Sequence, residues 1–512
     1  MRHKLRSLYE QYPRIQGFQP VYGTAGFRYP AQKLHFIVLR SAICMAIRSA
    51  VCKEPCGIMI TASHNAAEDN GLKLISGGGN MIEDSWETLI TKVVNFDRNE
   101  HDNKTLDCLI NFYKFVRKAY WPRIVIGIDT RDSGPRLIDM IANIFDVMGV
   151  SYVECGMVTT PQVHKYVEIY HKYRQFIYED YYIILQTAYR DVTQMLGVTQ
   201  NSFGRLWIDC ANGVGGITFE EFKQFCPEFR PMLVNIGQGG LNRNCGAEHV
   251  HKTGTPPEKL TVYDGMYGCS LDGDADRIVY YTVIDGKFCV IDGDKIATLF
   301  ATFCRQALGP DVKIGMVQTP YANGASTEYI RNRLGNQVDT CFAPTGVKHL
   351  HHAAQKYDVG IYFESNGHGT VLFSRSMIKK SSLARSISRL MSQTVGDSLS
   401  CIMLVDIALH YLGWTPRQWE SVYNNFYCQN EKVKVANKDL FKTSSDESRL
   451  VSCPNIQMTI DTLVQNHVSS HVRCFVRPSG TEDVVRIYTE GSDATVVHAI
   501  SDHVQKVVEV YK

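Results

Sequence analysis

No C-x-x-C pair occurs among the sixteen cysteines; the closest two, Cys52 and Cys56, have three residues between them. Cysteines scattered in this way exclude a disulfide scaffold and fit a reduced protein that uses the thiol as a small buried hydrophobe. Neither sign of charge dominates, since 54 Lys and Arg face 52 Asp and Glu for a net charge of +2. That balance excludes a strongly basic nucleic-acid surface and leaves room only for a local basic pocket. Low-complexity tracts and internal repeats are not visible in the chain. Residues 1–6 (MRHKLR) are basic but lack the apolar stretch of a signal peptide behind them. The most apolar helical run, 401–414, contains Asp406 and His410 and is too short to span a bilayer. The expectation is a soluble, cytoplasmic protein with no membrane, nucleic-acid or obligate protein partner.

What is present is a long chain with ample apolar content, 512 residues of which 44% are hydrophobic and 21% charged. Disorder, collagen and coiled coil are excluded by that composition. The length allows roughly three or four domains, each able to bury its own core. Short β-type runs end in glycine-rich or polar turns at 57–61, 123–129, 206–209, 313–318 and 359–363, with helix-like stretches between them at 36–50, 136–147 and 294–306. This alternation predicts an α/β fold with mixed or parallel sheets, in which loops leaving the strand ends collect ligand-binding groups. The last hundred residues predict a smaller α+β module: strands at 433–435, 472–476 and 484–489, then a helix over 494–511. A linker is expected near 412–420. The tyrosine-rich stretch 165–200 gives no assignable pattern.

Four polar loops carry the chemistry. In the first, residues 61–65 (TASHN) follow a strand and precede Lys73. Ser63 there is either a nucleophile with His64 and Lys73 as proton carriers, or part of a turn that satisfies backbone groups. In the second, Asp272, Asp274 and Asp276 alternate with Gly273 and Ala275. An extended loop would point these three carboxylates one way, which favours a divalent cation with oxygen ligands over a solvated acidic turn. An EF-hand is excluded because its twelfth position would be Val283.

The third loop, residues 363–369 (FESNGHG), places Glu364, Ser365 and Asn366 where they can read vicinal hydroxyls, with glycines for close approach. Near it, Lys348 and His349 sit on a glycine turn suited to a phosphate or sugar hydroxyl, while His351 and His352 read as surface residues of a helix start. The fourth, residues 477–481 (RPSGT), groups Arg477, Ser479, Gly480 and Thr481 as an anion nest, with Arg486 on the next strand as a clamp. Each loop alone has a structural explanation. Together they supply a nucleophile, a metal site, a hydroxyl reader and a phosphate nest, the parts needed to move a phosphoryl group between positions of a sugar.

The loops and their order resemble the α-D-phosphohexomutase superfamily. Residues 22–28 (YGTAGFR), 159–162 (TTPQ), 344–352 (PTGVKHLHH), 364–370 (ESNGHGT) and 477–486 (RPSGTEDVVR) look like its acetylglucosamine branch. One departure is Ser365, where that branch often carries alanine. The resemblance implies three related α/β domains with mixed sheets plus a smaller C-terminal α+β domain, heart-shaped around a central cleft. The expected bounds are 1–164 with the phosphoserine loop, 165–292 with the metal loop, 293–411 with the sugar loop and 412–512 with the phosphate loop. It further implies a phosphorylated Ser63 that ligates one Mg²⁺ per chain beside Asp272, Asp274 and Asp276. Arg277 would polarise the phosphoryl group, Arg28 balance charge, and His64 or Lys73 accept a proton. The implied activity interconverts N-acetylglucosamine 6-phosphate and 1-phosphate, feeding UDP-N-acetylglucosamine synthesis. A sugar 1,6-bisphosphate serves as intermediate and activator.

Overall fold

The computed structural model describes residues 1–23, 26–96, 101–479 and 484–511, with backbone alone for 101–103. The described strands form four sheets, and the chain divides into two compact units. The first unit comprises Met1–Asp292, Asn366–Thr370 and Ser382–Tyr411; the second comprises Gly293–Ser365, Val371–Ser381 and Leu412–Lys512.

The first unit holds two sheets. One consists of β1 (Phe27–Pro30), β2 (Cys56–Ile60), β3 (Asp69–Ile75), β4 (Arg123–Ile128) and β5 (Ser151–Met157), in the order β1-β3-β2-β4-β5. The other consists of β6 (Leu206–Asp209), β7 (Met232–Val234), β8 (Tyr267–Leu271), β9 (Ile278–Ile284) and β10 (Lys287–Ile291), in the order β10-β9-β8-β6-β7. Both are mixed in the same way. Three parallel strands (β2, β4 and β5; β8, β6 and β7) are flanked by an antiparallel neighbour (β3; β9) and one further strand. The fold therefore repeats where no repeat is visible in the sequence, because a shared topology needs only a shared pattern of apolar runs and turns.

Every residue of β2 (CGIMI) is buried, as a central parallel strand covered on both faces requires. Against this sheet pack the helices His35–Cys52 and Gly134–Met148, whose Phe36, Ile43, Leu137 and Ile141 join Ile58 and Ile126 in one apolar cluster. Each such side chain contributes about 1.5–3 kcal/mol on burial. Helix His35–Cys52 is long and apolar enough to cross a membrane, while the apolar run at 401–414 lies largely in the shorter helix Ser398–Leu412. Helix His35–Cys52 is nevertheless buried along nearly its whole length. Its two arginines are accommodated internally: Arg40 stacks 4.6 Å from the Tyr9 ring centre, and Arg48 pairs with Glu54 and Glu83.

The unassigned stretch 165–200 forms most of two helices, Thr160–Tyr173 and Asp180–Leu196. Its tyrosines obscure the helical period because they bury their rings while their hydroxyls seek acceptors. Tyr181 donates to Asp397 at 3.0 Å, Tyr182 to Glu221 at 2.6 Å and Tyr189 to Asp406 at 3.1 Å.

The second unit holds β11 (Ile314–Gln318), β12 (Val338–Phe342), β13 (Val359–Phe363) and most of β14 (Gly369–Phe373), in the order β12-β11-β13-β14. It also holds the antiparallel sheet β15 (Tyr427–Lys434), β17 (Val484–Gly491) and β16 (Arg473–Pro478), with β17 central. Helix Ala494–Glu509 covers this sheet through Ile500, Val504 and Val508. Two expectations are corrected here. The segment expected as a linker contains the helix Pro416–Glu420, closed by a Thr415–Gln418 capping box and anchored by fully buried Trp419. Strand β15 begins at Tyr427, six residues earlier than its apolar end indicated, because an exposed edge strand needs no apolar alternation.

Candidate active site

All three chemistry-bearing loops of the α/β sheets occupy one topological position, the connection from β2 to β3, from β8 to β9 and from β13 to β14. Ser63 lies in the first of them with φ at 55°, a left-handed conformation that costs a non-glycine residue about 1–2 kcal/mol. Several groups hold it there. Its amide donates to Thr61 Oγ1 at 2.9 Å, and Thr61 Oγ1 donates to buried Asp129 at 2.7 Å. The Ser63 carbonyl accepts from Arg131 at 3.2 Å and from Asn242 at 2.9 Å, and the Asn65 carbonyl accepts from the same two side chains at 2.9 Å each. The Ser63 hydroxyl then donates to Asp272 Oδ2 at 2.6 Å, while His64 Nδ1 stands 3.5 Å away.

The aspartate loop brings its three carboxylates together, with one oxygen of each within 4.8 Å of the others. The reason differs from the expected extended loop. Residues 272–276 form a tight turn, closed by the Ala275 amide on the Asp272 carbonyl at 3.1 Å, with Ala275 at φ 56°. Asp272 Oδ1 caps this turn by accepting from the Asp276 and Arg277 amides at 3.1 Å. Gly273 makes room for the serine loop, since a Cβ there would lie 2.7 Å from the Ser63 carbonyl oxygen.

Lys73, on β3, donates to Asp274 at 2.5 Å and also pairs with Asp276. Thr160 Oγ1 donates to the same Asp274 oxygen at 2.5 Å, and His368 Nδ1 lies 3.2 Å from Asp276 Oδ1. Burial pushes the Asp272 carboxyl well above the usual range, helped by its two neighbouring carboxylates. Burial pushes the same way at Asp274 and Asp276, but Lys73 together with Thr160 at Asp274, and Lys73 together with His368 and Arg277 at Asp276, hold these two low. The same carboxylates raise Lys73 against the effect of its burial. Burial, with Arg277 and Arg28, lowers His64 to about 2, which keeps its imidazole neutral. Arg28, on β1, has its own value lowered by burial and by Arg277.

The donor set fits a hard divalent ion. Three carboxylates converge, Asp274 Oδ1 is buried without a hydrogen-bond partner, and the serine hydroxyl reaches Asp272 among them. Sequence reasoning missed Arg131, Thr160, Asn242 and His368 around this site. Residues 159–162 were noticed only as a family motif, although Thr159 also caps the helix that carries Thr160.

The remaining residues divide between the units. Asn366 belongs to the first, and its Oδ1 accepts from the His368 amide at 3.0 Å. Gly367 is required by packing, because a Cβ at its φ of 86° would sit 1.8 Å from the Ile278 carbonyl oxygen. In the second unit, Glu364 and Ser365 are half-buried. The Ser365 hydroxyl, the departure from the family pattern, donates to Asp294 Oδ2 at 3.0 Å and so is turned into the protein. Lys348 and exposed His349 lie on the first turn of helix Val347–Ala354. His351, expected at the surface, is buried against the Tyr362 hydroxyl at 3.1 Å; His352 is exposed.

Arg477 on β16 stands opposite Arg486 on β17, and Arg486 stands opposite Lys432 on β15. Three cations in register across one face repel each other unless an anion lies among them. Lys432 is a further member that sequence reasoning passed over, although the alternation of residues 431–434 (EKVK) places it outward. The Ser479 amide donates to the Val484 carbonyl at 2.9 Å, closing the loop base. Gly480 and Thr481 lie outside the described residues.

Comparison with known proteins places these loops in a family. Models for phosphoglucomutase/phosphomannomutase match residues 33–101 and 108–178 (alpha/beta/alpha domain I) and 429–507 (C-terminal domain). The model for phosphoacetylglucosamine mutase AMG1, domain III, matches residues 292–414. The phosphoacetylglucosamine mutase of Sus scrofa is 38% identical over 493 residues, covering 92% of this chain and 90% of its own. That of Schizosaccharomyces pombe is 36% identical, covering 95% and 98%. Among solved structures, an N-acetylglucosamine-phosphate mutase in its substrate complex superposes with a TM-score of 0.91 at 34% identity, covering 99% of this chain and all of that one. The Aspergillus fumigatus N-acetylphosphoglucosamine mutase, in complex with GlcNAc-6P and magnesium, gives 0.88 at 35% identity, covering 99% of each chain. With relatives 34–38% identical over at least 92% of its length, the chain belongs to the phosphoacetylglucosamine mutase family of the α-D-phosphohexomutase superfamily.

Proposed function

We propose that the protein interconverts N-acetylglucosamine 6-phosphate and N-acetylglucosamine 1-phosphate through phosphorylated Ser63 and a sugar 1,6-bisphosphate. The observation that carries this reading is the Ser63 hydroxyl, held in a strained turn 2.6 Å from Asp272 and beside the converged Asp274 and Asp276. The phosphoryl group leaves Ser63 Oγ for a sugar hydroxyl oxygen, and the hydroxyl proton passes to a base. His64 and Lys73 are the two candidates for that base: burial beside Arg277 and Arg28 keeps His64 neutral and disfavours its protonation, and Asp274 and Asp276 hold Lys73 as an ammonium. One Mg²⁺ per chain, held by the three aspartates and the serine phosphoryl group, supplies charge neutralisation on the phosphoryl oxygens when bound. Arg28 and Arg277 add positive charge around the same oxygens. After the bisphosphate turns over, its other phosphoryl group returns to Ser63.

The same reading assigns sugar recognition to Glu364, Asn366, Lys348 and His349, with Ser365 shaping the loop through Asp294. It assigns the distal phosphate to Arg477, Ser479, Gly480, Thr481 and Arg486. The four loops then belong to functional segments 1–164, 165–292, 293–411 and 412–512. Free thiols such as Cys52 and Cys108 support a reducing, cytoplasmic setting, where the product would feed UDP-N-acetylglucosamine synthesis. The test is ³¹P NMR of the protein with Mg²⁺, a trace of glucose 1,6-bisphosphate and the 6-phosphate of N-acetylglucosamine, glucose or mannose. A 1-phosphate signal growing fastest from the acetylated sugar, and absent for Ser63→Ala, is expected. Faster conversion of another sugar overturns the substrate assignment, and undiminished turnover by Ser63→Ala overturns the mechanism.

A further inference from the structure

Glu447 lies in a part of the chain that none of the four loops includes. It sits at the tip of a braced turn: the Thr443 and Leu450 backbones bridge, the Ser444 amide donates to the Arg449 carbonyl at 2.8 Å, and Asp446 accepts from the Ser444 and Ser448 hydroxyls at 2.5 and 2.8 Å. At that tip Glu447 is left-handed, with φ at 60°, a strained state for a non-glycine residue that persists only when its surroundings hold it. Its amide donates to the Ser444 carbonyl at 3.0 Å, and its carboxylate is anchored as well. Oε2 accepts from the Thr345 amide at 3.1 Å, from the Thr345 hydroxyl at 2.7 Å and from Arg477 at 3.2 Å. Thr345 belongs to the same turn as Lys348 and His349, and Arg477 belongs to the cation row with Arg486 and Lys432. The remaining face of Arg477 is fixed, because its Nε donates to the Tyr321 hydroxyl at 2.7 Å and its guanidinium lies 5.0 Å from that ring centre.

A backbone amide, a hydroxyl and a guanidinium N–H converging on one anionic oxygen is the donor set that a phosphate oxygen seeks. Here a carboxylate of the protein's own chain occupies it. We propose that Glu447 is a tethered competitor for the phosphate of the substrate: it holds Arg477 and the Thr345 turn together when no phosphate is bound, and must leave Arg477 before a phosphate can engage that group. A dianionic phosphate carries more charge than the carboxylate into the register row of Arg477, Arg486 and Lys432, so the exchange favours a phosphate and disfavours singly charged anions. Glu447 is in this sense a specificity-determining residue for the phosphate end of the ligand. The inference rests on the assignment of Arg477 to phosphate recognition.

The test is titration calorimetry with inorganic phosphate on the full chain, for the unaltered protein, Glu447→Gln, Arg477→Ala and the double variant, together with KM for the sugar 6-phosphate. Glutamine keeps the shape and removes the charge. About tenfold tighter phosphate binding and a similarly lower KM are expected for Glu447→Gln, corresponding to the loss of about 1.4 kcal/mol of competition. The gain should vanish in the double variant. Unchanged or weaker phosphate binding by Glu447→Gln overturns the proposal, as does a gain that survives loss of Arg477. If the unaltered protein turns over no sugar phosphate, the reading of the reaction fails while the calorimetry still decides the role of Glu447. Equal phosphate binding by the unaltered protein and Arg477→Ala removes the premise instead.

Discussion

Replacing Asn242 by glycine removes the amide that donates to both the Ser63 and Asn65 carbonyls, and little else. Asn242 itself is left-handed, at φ 57°, so glycine keeps its backbone where alanine would strain it. Two hydrogen bonds of 2.9 Å are lost, each contributing about 0.5–1.5 kcal/mol net. Arg131 continues to satisfy both carbonyls, so no buried acceptor is orphaned and the fold is not put at risk. The loss is comparable with the roughly 1–2 kcal/mol needed to keep Ser63 left-handed. The serine loop therefore spends part of its time away from the aspartates, and kcat falls by about three- to tenfold while KM for the sugar phosphate holds. Steady-state kinetics with N-acetylglucosamine 6-phosphate gives both constants, and a melting curve should move by no more than about 2–4 °C. An unaltered kcat would show that the strained serine needs no clamp. A raised KM at constant kcat would show that Asn242 serves the substrate and not the nucleophile.

Thr160→Val, which keeps the side-chain shape but removes the hydroxyl donated to Asp274, is expected to weaken divalent-ion binding about tenfold. Mn²⁺ titration followed by electron paramagnetic resonance reads this directly, and equal Mn²⁺ affinity would sink the assignment. At His351, burial lowers the imidazole to about 4 from its ordinary 6.5. A depressed histidine stabilises the fold above pH 6.5, and that contribution is lost as pH falls toward 4, at about 1.4 kcal/mol per pH unit and about 3 kcal/mol in all. Urea unfolding between pH 7 and 4.5 should therefore show a shallower acid loss for His351→Asn, and identical slopes would refute it.

Ser63 and the aspartate triplet were legible because their signals are local: a polar turn at a strand end, and three like charges within five residues. The C-terminal module was legible from its alternating strands and helix period. What stayed hidden depends on distance along the chain. The Ser63–Asn242 and Thr160–Asp274 contacts join residues 179 and 114 positions apart; no neighbour marks Asn242, and the motif around Thr160 marks a helix start without pointing to Asp274. Local reasoning also found the right carboxylates for the wrong reason, since alternation stood in for a capped turn. Ser365 shows the reverse error. Its hydroxyl, conspicuous against the family pattern, is spent on Asp294, which no spacing rule connects to it.

The first unit is not finished when its two sheets are. His368, which faces Asp276, and helix Ser398–Leu412, to which Tyr181 and Tyr189 reach through Asp397 and Asp406, come from segments synthesised after much of the second unit has begun. During translation, residues 1–292 emerge without the pieces that complete their charge pairing. A chain still on the ribosome thus has a serine and three aspartates but an unfinished enclosure around them, and the first unit is complete only once residue 411 of 512 has been made. Folding of this kind, dominated by long sequence separations, is slow and exposes intermediates. Chain release and acquisition of activity should accordingly be nearly coincident, and a truncation before residue 411 should yield a protein that accumulates in aggregates.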